Sequence, residues 1–196
     1  IRRCLQSVRE NRLAETEHLV IDNQSSDDTL EKVRAFGNVR VISEKDNGIY
    51  EAMNKGIRSA GNELTACLNA DDAYLPGTLE AVKERFESVP ESDIVYGNIL
   101  VNGREVKPPG GIASFGGARI FHPAAFIRRS LFERIGYFDE SFRICADLDF
   151  FLRAKESGAV FTYLDRPLTD FALGGLSTVR RKQTAAELRH ILIRHG

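Results

Sequence analysis

Four short stretches of this chain bring together residue types that can do chemistry. Asn69-Ala70-Asp71-Asp72 follows an apolar run, and neighbouring carboxylates at a strand end suit a hard divalent cation that also binds phosphate oxygens. One such cation can hold a diphosphate and stabilise its charge as it leaves. Taken alone, the Asp pair is at least as good an N-cap for a following helix. Asp22, at the end of the run His18-Leu19-Val20-Ile21, could accept a hydrogen bond from a base or a ribose. The residues after it, Ser25-Ser26-Asp27-Asp28, read as a helix cap, but Asp22 lies too far from that helix to serve as one. Asp147 and Asp149 are two residues apart and cannot share one helical face. One can therefore enter a cleft, as a general base for a hydroxyl, while the other caps the helix or pairs with a basic group. Spacing alone fits a structural role for both equally well. His122 precedes Pro123, which biases it toward extended backbone. At a strand edge it could touch a metal, a diphosphate or an acceptor, or make a structural hydrogen bond.

The elements that must position these groups alternate over the first half of the chain. Apolar runs at 18–21, 39–42, 64–68 and 93–96 read as strands. Helices are expected to Phe36, over 49–60, and from Pro76 to about Ser88, with Gly37 and Gly61 as stops. Strands alternating with helices imply a mainly parallel sheet covered on both faces, with ligands beyond the carboxyl ends of its strands. Asp22 and the Asn69 to Asp72 cluster both fall at such ends. Asn102-Gly103 between apolar runs predicts a hairpin. Beyond it lie a glycine-rich stretch (108–117), an extended run at 124–127, and a helix carrying Asp147 and Asp149. Two strands (160–164 and 168–171) and a last helix over 183–194 complete the chain. The composition shift near residue 108 divides one domain over 1–196 into a first half, about 1–107, and a second, about 108–196.

Composition excludes several classes. With 42% hydrophobic residues, 28% charged residues and a formal net charge of −1, the chain is an ordinary globular sequence with no basic surplus for nucleic acid. No apolar run approaches the roughly 20 residues that a bilayer requires. Three cysteines (Cys4, Cys67, Cys145), widely spaced and odd in number, fit a reducing, cytoplasmic setting better than a disulfide framework. Ile1 to Val8 reads as a helix already under way with no N-cap ahead of it, so a preceding strand is expected. Arg180, Arg181, Lys182, Arg189 and Arg194 could rest peripherally on an anionic membrane face, although a solvated helix face is the plainer reading.

Taken in order, these stretches resemble the family 2 glycosyltransferases. Val20-Ile21-Asp22, with Ser25, Asp27 and Thr29, is similar to their first nucleotide motif. Ser43-Glu44, then Asp46-Asn47-Gly48-Ile49-Tyr50-Glu51-Ala52-Met53-Asn54-Lys55-Gly56-Ile57, resembles the second, and Leu68-Asn69-Ala70-Asp71-Asp72 the metal motif. His122-Pro123-Ala124-Ala125-Phe126-Ile127, Ile135-Gly136-Tyr137-Phe138-Asp139-Glu140, Ala146-Asp147-Leu148-Asp149 and Gly174-Gly175-Leu176-Ser177 resemble the acceptor half. The resemblance covers about residues 1–180. It implies an α/β fold of the GT-A (Rossmann-like) type, with a mixed, mainly parallel sheet, flanking helices and a small acceptor-side region. It also implies a nucleotide-sugar donor, a glycan or lipid-linked acceptor, and Mg²⁺ or Mn²⁺. By position, Asp22, Asp46, Gly48 and Asn54 would bind the nucleoside, Asp71 would be the main metal ligand, and Asp72 a metal or sugar contact. Asp147 would be the catalytic base, and His122 and Asp149 possible acceptor or phosphate contacts. The implied activity is inverting sugar transfer in the synthesis of a bacterial surface polysaccharide or glycolipid. Asn69 and Ala146 depart from acids usual in the family, which keeps open a second reading: a non-catalytic member that grips nucleotide or glycan without turnover.

Overall fold

The computed structural model describes residues 1–109, 120–175 and 180–196 of the chain. The first half alternates as the apolar runs predict: α1 (Arg2–Asn11), β1 (Leu19–Asp22), α2 (Thr29–Ala35), β2 (Arg40–Ser43), α3 (Ile49–Ser59) and β3 (Leu64–Ala66). Then come β4 (Ala73–Tyr74), α4 (Thr78–Ser88), β5 (Ile94–Val101) and β6 (Arg104–Val106). A single 3-10 turn (His122–Ala124) leads into β7 (Ala125–Arg128), α5 (Arg129–Ile135), α6 (Ala146–Glu156), β8 (Phe161–Phe171) and α7 (Arg181–Arg194).

The mixed α/β class is as expected; the balance of strand directions is the correction. The larger sheet runs β3-β7-β5-β8-β4, with β6 also paired to β5. Only β5 with β8 is parallel there, while β3–β7, β5–β7, β4–β8 and β5–β6 are antiparallel. The other parallel pair, β1–β2, forms a separate two-stranded sheet. Alternation reveals only the order of elements, whereas β7 enters between β3 and β5 against the direction of both. The hairpin is as the sequence predicts, with Asn102 at φ 51° and Gly103 at φ 74°, the left-handed pair of a tight two-residue turn.

β5 is the spine of the larger sheet and is buried from Ile94 to Ile99. Its partner β8 is one continuous strand, not two, because a register shift around Gly97 and Asn98 absorbs Pro167. A Cβ on Gly97 would stand 2.7 Å from Leu168 Cγ and 2.8 Å from the Arg166 carbonyl oxygen, so only glycine permits this approach. On one face pack the aromatic rings of the second half: Phe132 and Phe150 stack at 4.5 Å, and Phe138 lies 5.2 Å from Phe150. That cluster also buries Tyr50 and Ile57 of α3 and Ala146 of α6. α3 therefore joins the two halves, since Gly56 on the same helix lies against Ile21 of β1.

Candidate active site

The Asn69 to Asp72 stretch is not a helix cap. It is followed by β4, and α4 begins only at Thr78 with Gly77 in the cap position. Its two carboxylates have different surroundings. Asp71 is exposed, and among the described residues its carboxylate makes no hydrogen bond or ion pair; its backbone carbonyl accepts from Arg3 at 2.9 Å. Asp72 is 1% exposed, with Oδ1 accepting the Ala172 N–H at 2.9 Å and Oδ2 accepting the Asn69 amide at 3.0 Å. Burial raises its pKa against the effect of those two bonds. Among the described residues no three His, Cys, Asp or Glu groups gather as a cation cage. One exposed carboxylate beside a buried one fits a cation whose remaining ligands come from water and the ligand's own phosphates.

His122 links this motif to the carboxylate on α6. Its Nε2 stands 3.4 Å from the Asn69 amide nitrogen, and its Nδ1 stands 3.4 Å from Asp147 Oδ2. Because Asn69 Nδ2 also donates to Asp72, the hydrogen-bond network assigns His122 Nε2 as acceptor and leaves Nδ1–H facing Asp147. Asp147 Oδ1 lies 3.1 Å from the Tyr50 hydroxyl, which donates to the Ile144 carbonyl at 2.6 Å. Burial and then the charge of Asp147 push the phenol far above its ordinary pKa, so the hydroxyl keeps its proton. Four separated positions in sequence (Tyr50, Asn69, His122 and Asp147) thus converge.

Asp149, by position a possible acceptor or phosphate contact, is placed inside the protein. Its carboxylate is fully buried and accepts from Arg153 Nε at 2.8 Å, with Arg194 Nη1 at 3.2 Å and His195 Nε2 at 3.0 Å. The two-residue spacing that separates it from Asp147 turns it into the protein, where basic groups surround it. Ala146, with no exposed surface, sits in the aromatic core, so Asp147 is the acidic side chain at this point with solvent access. Asn54, by position a nucleoside contact, is likewise enclosed. It is 1% exposed, accepts the Phe138 N–H at 3.1 Å, and donates to the Phe138 carbonyl at 2.9 Å and to Glu140 at 2.7 Å. These bonds tie α3 to the loop before α6 and leave no amide group for a nucleoside.

Asp22 and Asp46 sit together at the ends of β1 and β2. Asp22 is 5% exposed, and its carboxylate accepts Ser43 Oγ at 2.7 Å and the Ser25 N–H at 3.1 Å. The Asp46 N–H donates to Asn23 at 2.7 Å, one Asp46 oxygen pairs with Lys55, and the other is buried without a partner among the described residues. A buried acceptor left open is costly unless a ligand fills it. Gly48, extended at φ 165°, lets Arg143 reach the Asn47 carbonyl; a Cβ there would meet Arg143 Nη1 at 2.8 Å. The motif Gly174-Gly175-Leu176-Ser177 lies outside the described residues at Leu176 and Ser177, as does the glycine-rich stretch at 110–117.

Tyr50 is the residue whose role residue type does not announce, although it lies within the second nucleotide motif. Its available signal is spacing: Tyr50, Asn54 and Ile57 follow one another along the buried face of α3, and two of the three are polar. The surroundings of Asp22 give a pH prediction. Burial pushes its carboxyl up, but hydrogen bonds from Ser25, Ser43 and the backbone outweigh that and hold the pKa below the ordinary 3.8. The resulting stability is complete above the ordinary value and is lost as pH falls through the lowered one. Melting temperatures of the wild type and Asp22→Asn should therefore keep their separation from about pH 6 to about 4 and converge as pH falls below the ordinary 3.8. A gap that stays constant below that value would refute this account of Asp22.

The chain is similar to a known family, to curated sequences and to solved structures. The Glycosyl transferase family 2 profile matches residues 1–146. A PGL/p-HBAD biosynthesis glycosyltransferase of Mycobacterium tuberculosis is 30% identical over 192 residues, covering 89% of this chain and 72% of the relative. A mannosyltransferase of Pyrobaculum calidifontis, solved with GDP-Man and Mn²⁺, superposes with a TM-score of 0.77 at 19% identity, covering 98% of this chain and 59% of that one. S. aureus TarS in complex with UDP-GlcNAc superposes with a TM-score of 0.71 at 22% identity, covering 89% and 56%. The chain thus spans less than two thirds of either solved structure, and at these identities the likeness is one of fold.

Proposed function

We propose that this chain, which belongs to glycosyl transferase family 2, transfers a sugar from a nucleotide-diphosphate donor to an acceptor hydroxyl with inversion at the anomeric carbon. The observation that carries the reading is the convergence of Asn69, His122 and Asp147, which joins the metal motif to a carboxylate within reach of solvent. Asp22 and the unpartnered oxygen of Asp46 offer acceptors to the nucleoside, with Gly48 beside them. Asp71, with Asp72 behind it, would hold Mg²⁺ or Mn²⁺ between the protein and the diphosphate. A divalent cation bound there would offset the negative charge on the phosphate oxygens. The chain's own step is a proton transfer: Asp147 takes the proton of the acceptor hydroxyl. The acceptor oxygen forms its bond to the anomeric carbon on the face opposite the diphosphate. The bond from that carbon to the phosphate oxygen breaks, and the nucleoside diphosphate leaves with the electron pair.

We extend the reading, as a proposal, to the synthesis of a bacterial surface polysaccharide or glycolipid; one relative is named as a PGL/p-HBAD biosynthesis glycosyltransferase. No helix among the described residues is long and apolar enough to cross a membrane. α7 nevertheless exposes Leu188, Leu192 and Ile193 together with Arg181, Lys182 and Arg189. Such a face suits peripheral contact with an anionic lipid surface and a lipid-linked acceptor on the cytoplasmic side.

The donor half is tested by thermal shift with UDP- and GDP-sugars, with and without Mn²⁺. A donor at a hundredfold its Kd stabilises the fold by about 2.7 kcal/mol. We expect the shift to require the cation and to disappear in Asp71→Ala, which, as a change at an exposed side chain, should alter intrinsic stability by no more than about 0.5 kcal/mol. Binding of every nucleoside diphosphate without metal, unchanged in Asp71→Ala, would contradict the role given to Asp71.

A further inference from the structure

Asp147 sits in the first turn of α6, and α6 begins without a side-chain cap of its own. A carboxylate from the last helix holds the backbone just ahead of α6. Glu187 of α7 takes three consecutive backbone N–H groups ahead of that turn: Arg143 on Oε1 at 3.1 Å, and Ile144 and Cys145 on Oε2 at 2.9 Å and 3.1 Å. Gln183, one turn earlier on α7, donates to Glu187 Oε1 at 3.0 Å and fixes the carboxylate from behind. The opposite side of the same segment is held by α3: Tyr50 donates to the Ile144 carbonyl, and Arg143 donates to the Asn47 carbonyl. Residues 143–145 are therefore gripped from two helices, one in each half of the chain.

From this arrangement we infer that Glu187 is a positioning residue for the base, holding residues 143–145 so that Asp147 meets Tyr50 and His122. The inference rests on the reading of Asp147 as the base. The reason is mechanical. The Tyr50 hydroxyl bonds the Ile144 carbonyl and lies 3.1 Å from Asp147 Oδ1, so a shift of this peptide moves both groups that define where the carboxylate points. A carboxylate suits this position because it presents several acceptor sites to a run of N–H donors, and its charge complements the positive end of the helix. Glu187 touches neither Asp22, Asp46 nor Asp71 in any described contact, so its larger effect falls on the proton transfer, while Arg143 is its one described link toward the donor side, through the Asn47 carbonyl.

The experiment measures turnover, donor KM and melting temperature for the full protein and for Glu187→Ala, Glu187→Gln, Asp147→Asn and the Glu187→Ala/Asp147→Asn double variant. We expect Glu187→Ala to lower kcat on the order of 10- to 100-fold, the scale of a displaced catalytic group, with donor KM within about twofold. Glu187→Gln keeps one acceptor oxygen and nearly the same volume, and should recover part of the loss. On the Asp147→Asn background the Ala change should have no further effect on turnover. Turnover within twofold of wild type in both Glu187 variants, while Asp147→Asn is inactive, would overturn the positioning role and leave the base intact. An active Asp147→Asn would instead overturn the base itself. A Glu187→Ala loss shared equally between kcat, donor affinity and melting temperature, with no recovery in Glu187→Gln, would reduce Glu187 to a general support of the fold.

Discussion

Replacing Asp147 by Asn is expected to lower sugar transfer by about 10²- to 10⁴-fold, the range a positioned general base contributes, while leaving donor binding in place. The change is nearly isosteric, and the side chain is 23% exposed, so the fold has little reason to respond. Its chemical effect is specific. An amide has no site for the acceptor's proton at neutral pH, and its NH₂ group cannot face the His122 Nδ1–H as a carboxylate oxygen does. The residues proposed to hold the donor belong to other elements: Asp22 to β1, Asp46 to the turn after β2, and Asp71 to the turn after β3. Donor affinity, read by thermal shift or calorimetry, should therefore match wild type within a few-fold. Turnover is read as release of nucleoside diphosphate with an acceptor present. A variant with kcat within tenfold of wild type would remove Asp147 from the mechanism. A wild type that binds donors yet turns over none would favour the rival reading of a nucleotide- or glycan-gripping protein.

Much of the fold is legible in the sequence because the signals are local. β1 to β3 and α2 to α4 appear where apolar runs and their stops put them, with boundaries displaced by a residue or two, and the Asn102-Gly103 hairpin is where its backbone demands it. Strand direction is not legible. Nothing in Ala125-Phe126-Ile127 states that β7 will insert antiparallel between β3 and β5, since that choice is made by partners far apart in sequence. The single strand β8 reads as two in sequence because Pro167 lacks an N–H, and only the register shift opposite Gly97 and Asn98 accommodates it.

The site divides along the same line. Residue type and order point to Asp22, Asp71, His122 and Asp147, the family resemblance adds Asp46, and the structure brings His122 and Asp147 together. What spacing cannot say is which polar side chains are already occupied. Asn54 and Asp149 carry the chemical groups of ligand contacts, yet hydrogen bonds to Phe138 and Glu140 satisfy the first and a ring of basic groups satisfies the second. Asn69, by type, is a weaker metal ligand than the acid usual there. Its amide instead does what an Asp could not, donating to Asp72 while facing the His122 ring. Glu187 is invisible in the sequence because its partners are backbone N–H groups, which carry no residue signature.

Asp149 yields the largest expected effect on stability. Its carboxylate has no exposed surface, and three cationic or hydrogen-bonding side chains converge on it: Arg153 from the same helix, and Arg194 and His195 from the end of α7. His195 is itself enclosed, with Nδ1 at 2.7 Å from Glu156. Removing the carboxylate in Asp149→Ala leaves Arg153 desolvated without its acid, the situation in which breaking a buried pair costs about 3–5 kcal/mol. It also cuts the tie between α6 and the last turn of α7, so the amides near Ile191 should lose hydrogen-exchange protection before those of β5. The urea midpoint measures the first effect, and the double change Asp149→Leu with Arg153→Met checks its cause, because replacing both charges by apolar groups should recover a large part of the loss. A midpoint shift worth less than about 1 kcal/mol would mean that solvent reaches the site and replaces the lost acid. The comparison with Asp147 is the decisive one: of two carboxylates in the first turn of one helix, the half-buried one is expected to govern turnover with little effect on stability, and the fully buried one to govern stability and reach turnover only through the fold.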